Sequence, residues 1–170
     1  MSENAAQLAK RYWELMATND FRSVGSLLSD NFVLDWPQSN ERIRGRDNLA
    51  TMNEEYPAHG RWQFTVNRIV GNDLEAVSDV WVTDRTQRAR VISFFTTRNG
   101  KIVQMIEFWP NDYLPHENRK HLTEPIGTQC PLLSVLEFDQ FNESADAVAG
   151  IQRRAEVLIK ILTGNDLLRI

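Results

Sequence analysis

A chain of 170 residues, 42% hydrophobic and 25% charged, has material for one sizeable core and hardly for two. Its formal net charge of -4 and pI near 5.4, without any long Lys/Arg block, exclude a broadly cationic surface for nucleic acid or an anionic membrane. The opening MSENAAQLAKRYW lacks the apolar run of a signal peptide, and no apolar run of membrane-spanning length follows. Cys130 is the only cysteine, so no intrachain disulfide and no Cys-based zinc cluster can form. The expectation is a cytoplasmic protein, in which the glycosylation pattern Asn142-Glu143-Ser144 carries no weight and Cys130, beside Pro131 and Leu132, is a packing residue.

The first third of the chain predicts helices. Ala5, Leu8, Ala9, Tyr12, Leu15 and Met16 recur at three- and four-residue spacing and make one apolar face. Asp20 can cap a short second helix carrying Val24, Leu27 and Leu28. Gly45-Arg46-Asp47 can open a third with Leu49, Met52 and Tyr56, which Pro57 stops. Between them, Phe32, Leu34 and Trp36 alternate with Val33 and Asp35, as in a strand.

From residue 61 the apolar period becomes two. The runs RWQFTVNRIV, LEAVSDVWVTD, RARVISFFTT and KIVQMIEFW predict four strands, divided at Gly71-Asn72-Asp73, at Asp84 to Gln87 and at Asn99-Gly100. Asn-Gly suits a type I′ turn, whose two central positions both need positive φ. Helices followed by an antiparallel meander predict an α+β domain with a curved sheet wrapped on a helical layer.

The turns also predict a register. With Asn99 and Gly100 as the two loop residues, Arg98 faces Lys101, Phe94 faces Met105, Ile92 faces Glu107 and Arg90 faces Trp109. With a four-residue loop at Asp84 to Gln87, Thr83 faces Arg88 and Trp81 faces Arg90. One face then carries Asp79, Trp81, Arg90, Phe94, Met105, Glu107 and Trp109, apolar with a few polar groups set into it, as a small-molecule pocket requires. The alternative is a solvent face with a cross-strand ion pair. The opposite face, with Val80, Val82, Val91, Ser93, Phe95, Ile106 and Phe108, reads as a plain hydrophobic surface that a second copy of the chain or the C-terminal tail would cover.

Three stretches, AKRYWELMATNDF, FVLDWPQSNERIRGRDNL and RNGKIVQMIEFWPNDY, resemble the SnoaL-like branch of the nuclear transport factor 2-like superfamily, over residues 5 to about 125. The resemblance implies a cone-shaped α+β barrel, in which a strongly curved, mostly antiparallel sheet and three N-terminal helices enclose a deep pocket. Its relatives include polyketide cyclases, ketosteroid isomerase, scytalone dehydratase and limonene epoxide hydrolase, as well as members without catalysis, so fold does not fix function.

Carried over residue by residue, the resemblance matches Tyr12 in RYWEL to the tyrosine of the isomerase's first helix, and Trp109 to the tryptophan of its last strand. It puts Trp36 where the isomerase has its base, and Asp35 there only after a one-residue slip. The isomerase's second acid falls at Ile92 or Ser93, which disfavours steroid-type isomerisation. For the late acid of SnoaL-type cyclases, Glu107 and Asp112 are approximate candidates.

The expected chemistry is proton transfer on a small hydrophobic ligand. A carboxylate in an apolar cavity loses hydration, and its pKa rises toward neutrality. Glu107, Tyr12 and Asp35 are the catalytic candidates, and Trp109, Trp81, Trp36, Asp79, Arg90, Phe94 and Met105 the ligand-binding ones. If Asp35 keeps the simple alternation of its strand, it points away from the cavity or sits at its rim; a bulge at Trp36-Pro37 would turn it inward. If Arg90 neutralises Glu107, the acid becomes a structural partner instead. The histidines at 59, 116 and 121 have no metal-ligand spacing and RIRGRDN has a single glycine, so neither metal nor phosphate-binding cofactor is expected. Arg42, Arg44 and Arg46 either guide an anionic substrate or form a solvated strand edge paired with Glu41 and Asp47.

Residues 126–170 lie beyond the resemblance as a C-terminal extension. ESADAVAGIQRRAEVLIKIL predicts a helix over about 143–163, whose stripe of Val148, Ile151, Ala155, Leu158 and Leu162 must bury itself on this domain or on another copy. The composite expectation is a dimeric small-molecule-binding protein: a cofactor-free isomerase, cyclase or dehydratase, or else a noncatalytic ligand-binding or assembly module.

Overall fold

The computed structural model describes residues 3–126, so Cys130 and the helix expected at about 143–163 lie outside the described residues. The first compact unit runs to Asn111, and a second begins at Asp112, short of the boundary near 125 expected from the sequence. The described part of the second unit contains a 3-10 helix, Glu117–Leu122.

Helix α1, Ala5–Thr18, starts where its sequence favours a start. Asn4 and Gln7 form a reciprocal capping box, each side chain accepting from the other's backbone N–H. The helix ends at Asn19, which takes the left-handed conformation at φ 61°. Its buried stripe includes Leu8, Ala9, Tyr12, Trp13 and Met16. The short helix expected near Val24 is a 3-10 helix, Ser23–Leu27, and α2 runs Arg46–Glu55 behind Gly45, whose φ of 80° relieves the turn out of the preceding strand.

The strands are β1 (Leu28–Trp36), β2 (Glu41–Arg44), β3 (Gln63–Gly71), β4 (Glu75–Thr83), β5 (Arg88–Arg98) and β6 (Lys101–Phe108). They form one sheet in the order β2-β1-β6-β5-β4-β3. Every pairing is antiparallel except that of β1 with β6, which is parallel. The α+β class is therefore as expected, but the described sheet is open, with edges at β2 and β3, and does not close into a barrel.

The β4–β5 register matches expectation, with Thr83 opposite Arg88, Trp81 opposite Arg90 and Asp79 opposite Ile92. The β5–β6 hairpin starts as expected, with Asn99 and Gly100 both at positive φ and Arg98 opposite Lys101. After Thr97 pairs with Ile102 the register slips by one: Thr96 pairs with Gln104, leaving Val103 as the extra residue of a bulge. Phe95 consequently faces Met105, and Ser93 faces Glu107.

Because the strand period is two, that single residue exchanges the faces of β5 relative to β6. Val80, Val82, Val91, Ser93 and Phe95 lie on the inner face beside Met105 and Glu107, all buried. They pack against α1 and form the core, contrary to their expected role as an outward surface. Trp81, Asp79, Arg90 and Phe94 share the outer face with Ile106 and Phe108, contrary to their expected place in the pocket.

Candidate active site

Between α1, α2 and the inner face of the sheet lies a cavity of about 370 Å³. That volume suits a small organic molecule. Its walls are largely aromatic: Trp13 from α1, Trp36 from the end of β1, Trp62 and Phe64 at the start of β3, and Trp109 just past β6. Leu34, Leu49, Met52 and Val82 fill the gaps between the rings.

Three of the wall tryptophans are held from behind. The Trp13 indole donates to Ser78 Oγ at 2.9 Å, both side chains being buried. Asn19, the C-cap of α1, clamps Trp62 by accepting from its backbone N–H at 2.8 Å and donating to its carbonyl at 2.9 Å. Gln38 does the same for Trp109, accepting from its N–H at 2.6 Å and donating to its carbonyl at 3.2 Å. At the mouth, the fully buried Asp84 carboxylate ties two lining loops together. It accepts from the backbone N–H groups of His59, Thr86 and Gln87 at 2.8–2.9 Å, and these bonds, that from Gln87 first, hold its pKa far below the usual carboxylate range. The Gln87 amide in turn donates to the Pro57 carbonyl at 3.0 Å.

One carboxylate lines this apolar space. Glu107, 4% exposed, accepts at Oε1 from Ser93 Oγ (3.0 Å) and at Oε2 from Trp36 Nε1 (3.0 Å). Trp109 Nε1 approaches closely enough to favour the carboxylate but falls outside hydrogen-bond geometry; among the described residues it is the buried side-chain nitrogen or oxygen left without a partner. Burial raises the pKa of Glu107 above the ordinary glutamate value, and the donors Trp36, Ser93 and Trp109 oppose that rise without cancelling it. Tyr12, also buried and lining the cavity, has its pKa raised well above the usual tyrosine value, by burial first and by the negative charge of Glu107 second. Its hydroxyl stays protonated and able to donate.

The structure thus assembles Glu107, Tyr12, Trp36 and Trp109 around one space. Met105 is fully buried on the same inner face but does not reach the lining. Four expected pocket residues lie elsewhere. Asp79 is held by a bidentate pair with Arg90 (2.7 and 2.8 Å), which lowers its pKa, and Asn67 adds a weaker bond. Trp81 is covered by the Arg88 guanidinium, 3.9 Å from the ring centroid, and Phe94 packs edge-on against Phe108 at 6.1 Å. Arg90 therefore neutralises Asp79 and not Glu107.

Asp35 also points away from the cavity. No bulge turns it inward, and it sits opposite Ile106 and Arg42, on the outer side of the sheet. Arg42 grips it through two bonds of 2.5 and 2.7 Å and lowers its pKa, with help from Gln104 at 3.3 Å. Of the three arginines, Arg42 thus pairs with Asp35 and Arg46 with Asp30.

Sequence reasoning missed Ser93, Trp13, Trp62 and Met52. Ser93 followed from Glu107 once the register slipped, and no turn signal marks a bulge at Val103. Trp13 and Trp62 carried a usable signal, since a tryptophan on an apolar helix stripe and another at a strand entrance both point toward the core. No group of His, Cys, Asp and Glu among the described residues could hold a metal ion, and none of their helices is long and apolar enough to cross a membrane.

The description of the SnoaL-like domain family matches residues 9–105. Among solved structures, the "putative ketosteroid isomerase" of Kribbella flavida DSM 17836 is 30% identical, with a TM-score of 0.66 over 72% of this chain and 89% of that one. An NTF-2 like protein of unknown function from Burkholderia xenovorans LB400 is 27% identical, with a TM-score of 0.59 over 71% of this chain and 93% of that one. An LEH-like epoxide hydrolase of M. tuberculosis shares the fold at 18% identity, with a TM-score of 0.53 over 64% of this chain and 84% of that one. No curated protein matches the sequence. The chain belongs to the SnoaL-like domain family.

Proposed function

We propose that this protein is a cofactor-independent acid–base catalyst of the isomerase, cyclase or dehydratase kind, acting on a small hydrophobic substrate. Glu107 transfers the proton. The Tyr12 hydroxyl holds the substrate oxygen on which negative charge develops. The observation that carries the reading is the burial of Glu107 among aromatic walls, which raises its pKa toward the range of a useful general acid or base. Ser93 and Trp36 fix the carboxylate's orientation, and such preorganisation is needed for proton transfer within hydrogen-bond reach. In this reading the protein works in the cytoplasm, in keeping with its single cysteine.

The test is Glu107→Gln, assayed on a substrate found by screening hydrophobic carbonyl compounds and epoxides. Loss of a positioned general base costs ~10²–10⁴-fold in turnover, and this variant is expected to lose about that much while still binding the ligand. Undiminished turnover would remove Glu107 from the chemistry.

A second reading concerns assembly. The outer sheet face presents Phe94, 44% exposed, and Phe108, 36% exposed, beside Val70 at 55%. An apolar sheet face of this kind, rimmed by the Asp79–Arg90 and Asp35–Arg42 pairs, suits a self-complementary contact with a second copy. A homodimer through this face is compatible with either a catalytic or a purely ligand-binding role, because the cavity opens on the other side of the sheet.

A further inference from the structure

Glu107 is a buried carboxylate without a salt bridge among the described residues. Its neighbours Ser93 and Trp36 are neutral donors, which favour the ionised form but do not neutralise it. Arg88 is the one basic residue among those lining the cavity, and its guanidinium is stacked on Trp81, on the outer side of the sheet. The other polar lining groups include the neutral amides of Gln38, Asn53, Gln87 and Asn111. Among the described residues, the ionised Glu107 carboxylate in this aromatic enclosure therefore has no counter-ion.

Ligands of the three charge types would fare differently there. An anionic ligand would bring a second negative charge beside the first, in surroundings that screen poorly. A positive nitrogen would meet the carboxylate in an enclosure lined by Trp13, Trp36, Trp62 and Trp109, and of the aromatic rings tryptophan attracts a cation over its face most strongly. A neutral ligand would gain the apolar contact but no charge pairing, and would favour the protonated carboxyl instead.

We propose that the cavity takes a small organic cation, a substituted ammonium group on an apolar body, seated against the Glu107 carboxylate and the indole faces. The inference rests on the reading of this cavity as the ligand site and names its substrate class. It is compatible with proton transfer there, because a positive nitrogen beside the carbon to be deprotonated stabilises the carbanion that forms.

The experiment compares two probes of equal shape, benzyltrimethylammonium and its uncharged carbon isostere neopentylbenzene, by quenching of tryptophan emission in the full chain. The cation is expected to bind at least about tenfold more tightly than the isostere, consistent with cation–π and charge pairing in a desolvated site. Glu107→Gln should cut that preference several-fold, the indoles alone keeping a remainder. Should that variant fail to fold, Trp62→Leu at the mouth serves instead and should weaken the cation more than the isostere. Equal binding of the two probes, or a preference undiminished in Glu107→Gln, overturns the cationic class but leaves the cavity reading standing. Failure of both probes to bind overturns the two together.

Discussion

A single carboxylate carries the functional argument at the scale of residues, and its titration has a definite sign. The folded pKa of Glu107 lies above the unfolded value, so ionising it costs folding stability. The native state holds the proton longer than the unfolded chain does, and stability falls as pH rises from the ordinary glutamate range through the raised value. Chemical denaturation across that window is expected to show a downward slope in the parent protein that disappears in Glu107→Gln. If Glu107 is the base, turnover rises over the same window in which stability falls. Asp35 behaves in the opposite way, since Arg42 lowers its pKa and fixes it on the outer side of the sheet. Asp35→Asn should leave ligand affinity and turnover within about twofold of the parent, and a large loss of turnover in a folded variant would give Asp35 the chemistry instead. The change in stability should be small, since half-exposed ion pairs contribute ~0–1 kcal/mol.

At the scale of elements, the bulge at Val103 decides what the sheet presents to the cavity. The strands, the Asn99-Gly100 turn and the β4–β5 register were legible because each rests on a local signal: alternation, a dipeptide suited to positive φ, a loop of countable length. The bulge has no such signal, and it reversed the facing of β5 against β6. Glu107 still reached the cavity, since it lies on β6 beyond the bulge, whereas Phe94, Arg90, Asp79 and Trp81 moved to the outside as a group. Ser93, read as part of a plain apolar surface, became the partner of Glu107 for the same reason. A pair of substitutions separates the two registers. Phe95→Ala, in the core at 1% exposure, is expected to cost ~3–5 kcal/mol in urea unfolding. Phe94→Ala gives up chiefly its edge-on contact with Phe108, worth about 1 kcal/mol. Comparable costs at the two positions would restore the register expected from the turn alone.

At the scale of the whole molecule, the sheet separates two surfaces with different uses: an inner one that closes over the cavity and an outer one with Phe94, Phe108 and two ion pairs. If a second copy covers the outer face, Phe108→Glu should convert a dimer to a monomer in light scattering without disturbing ligand binding inside. A parent protein that is already monomeric would exclude the dimer. On the inner surface Glu107 and Tyr12 are to meet the substrate, and a crystal structure with a ligand that quenches tryptophan emission tests this. That ligand is expected between Trp36, Trp62 and Trp109, with a polar or reacting atom about 3 Å from a Glu107 carboxylate oxygen. A ligand bound elsewhere, or one that fills the cavity while turning only apolar atoms toward Glu107, would contradict it.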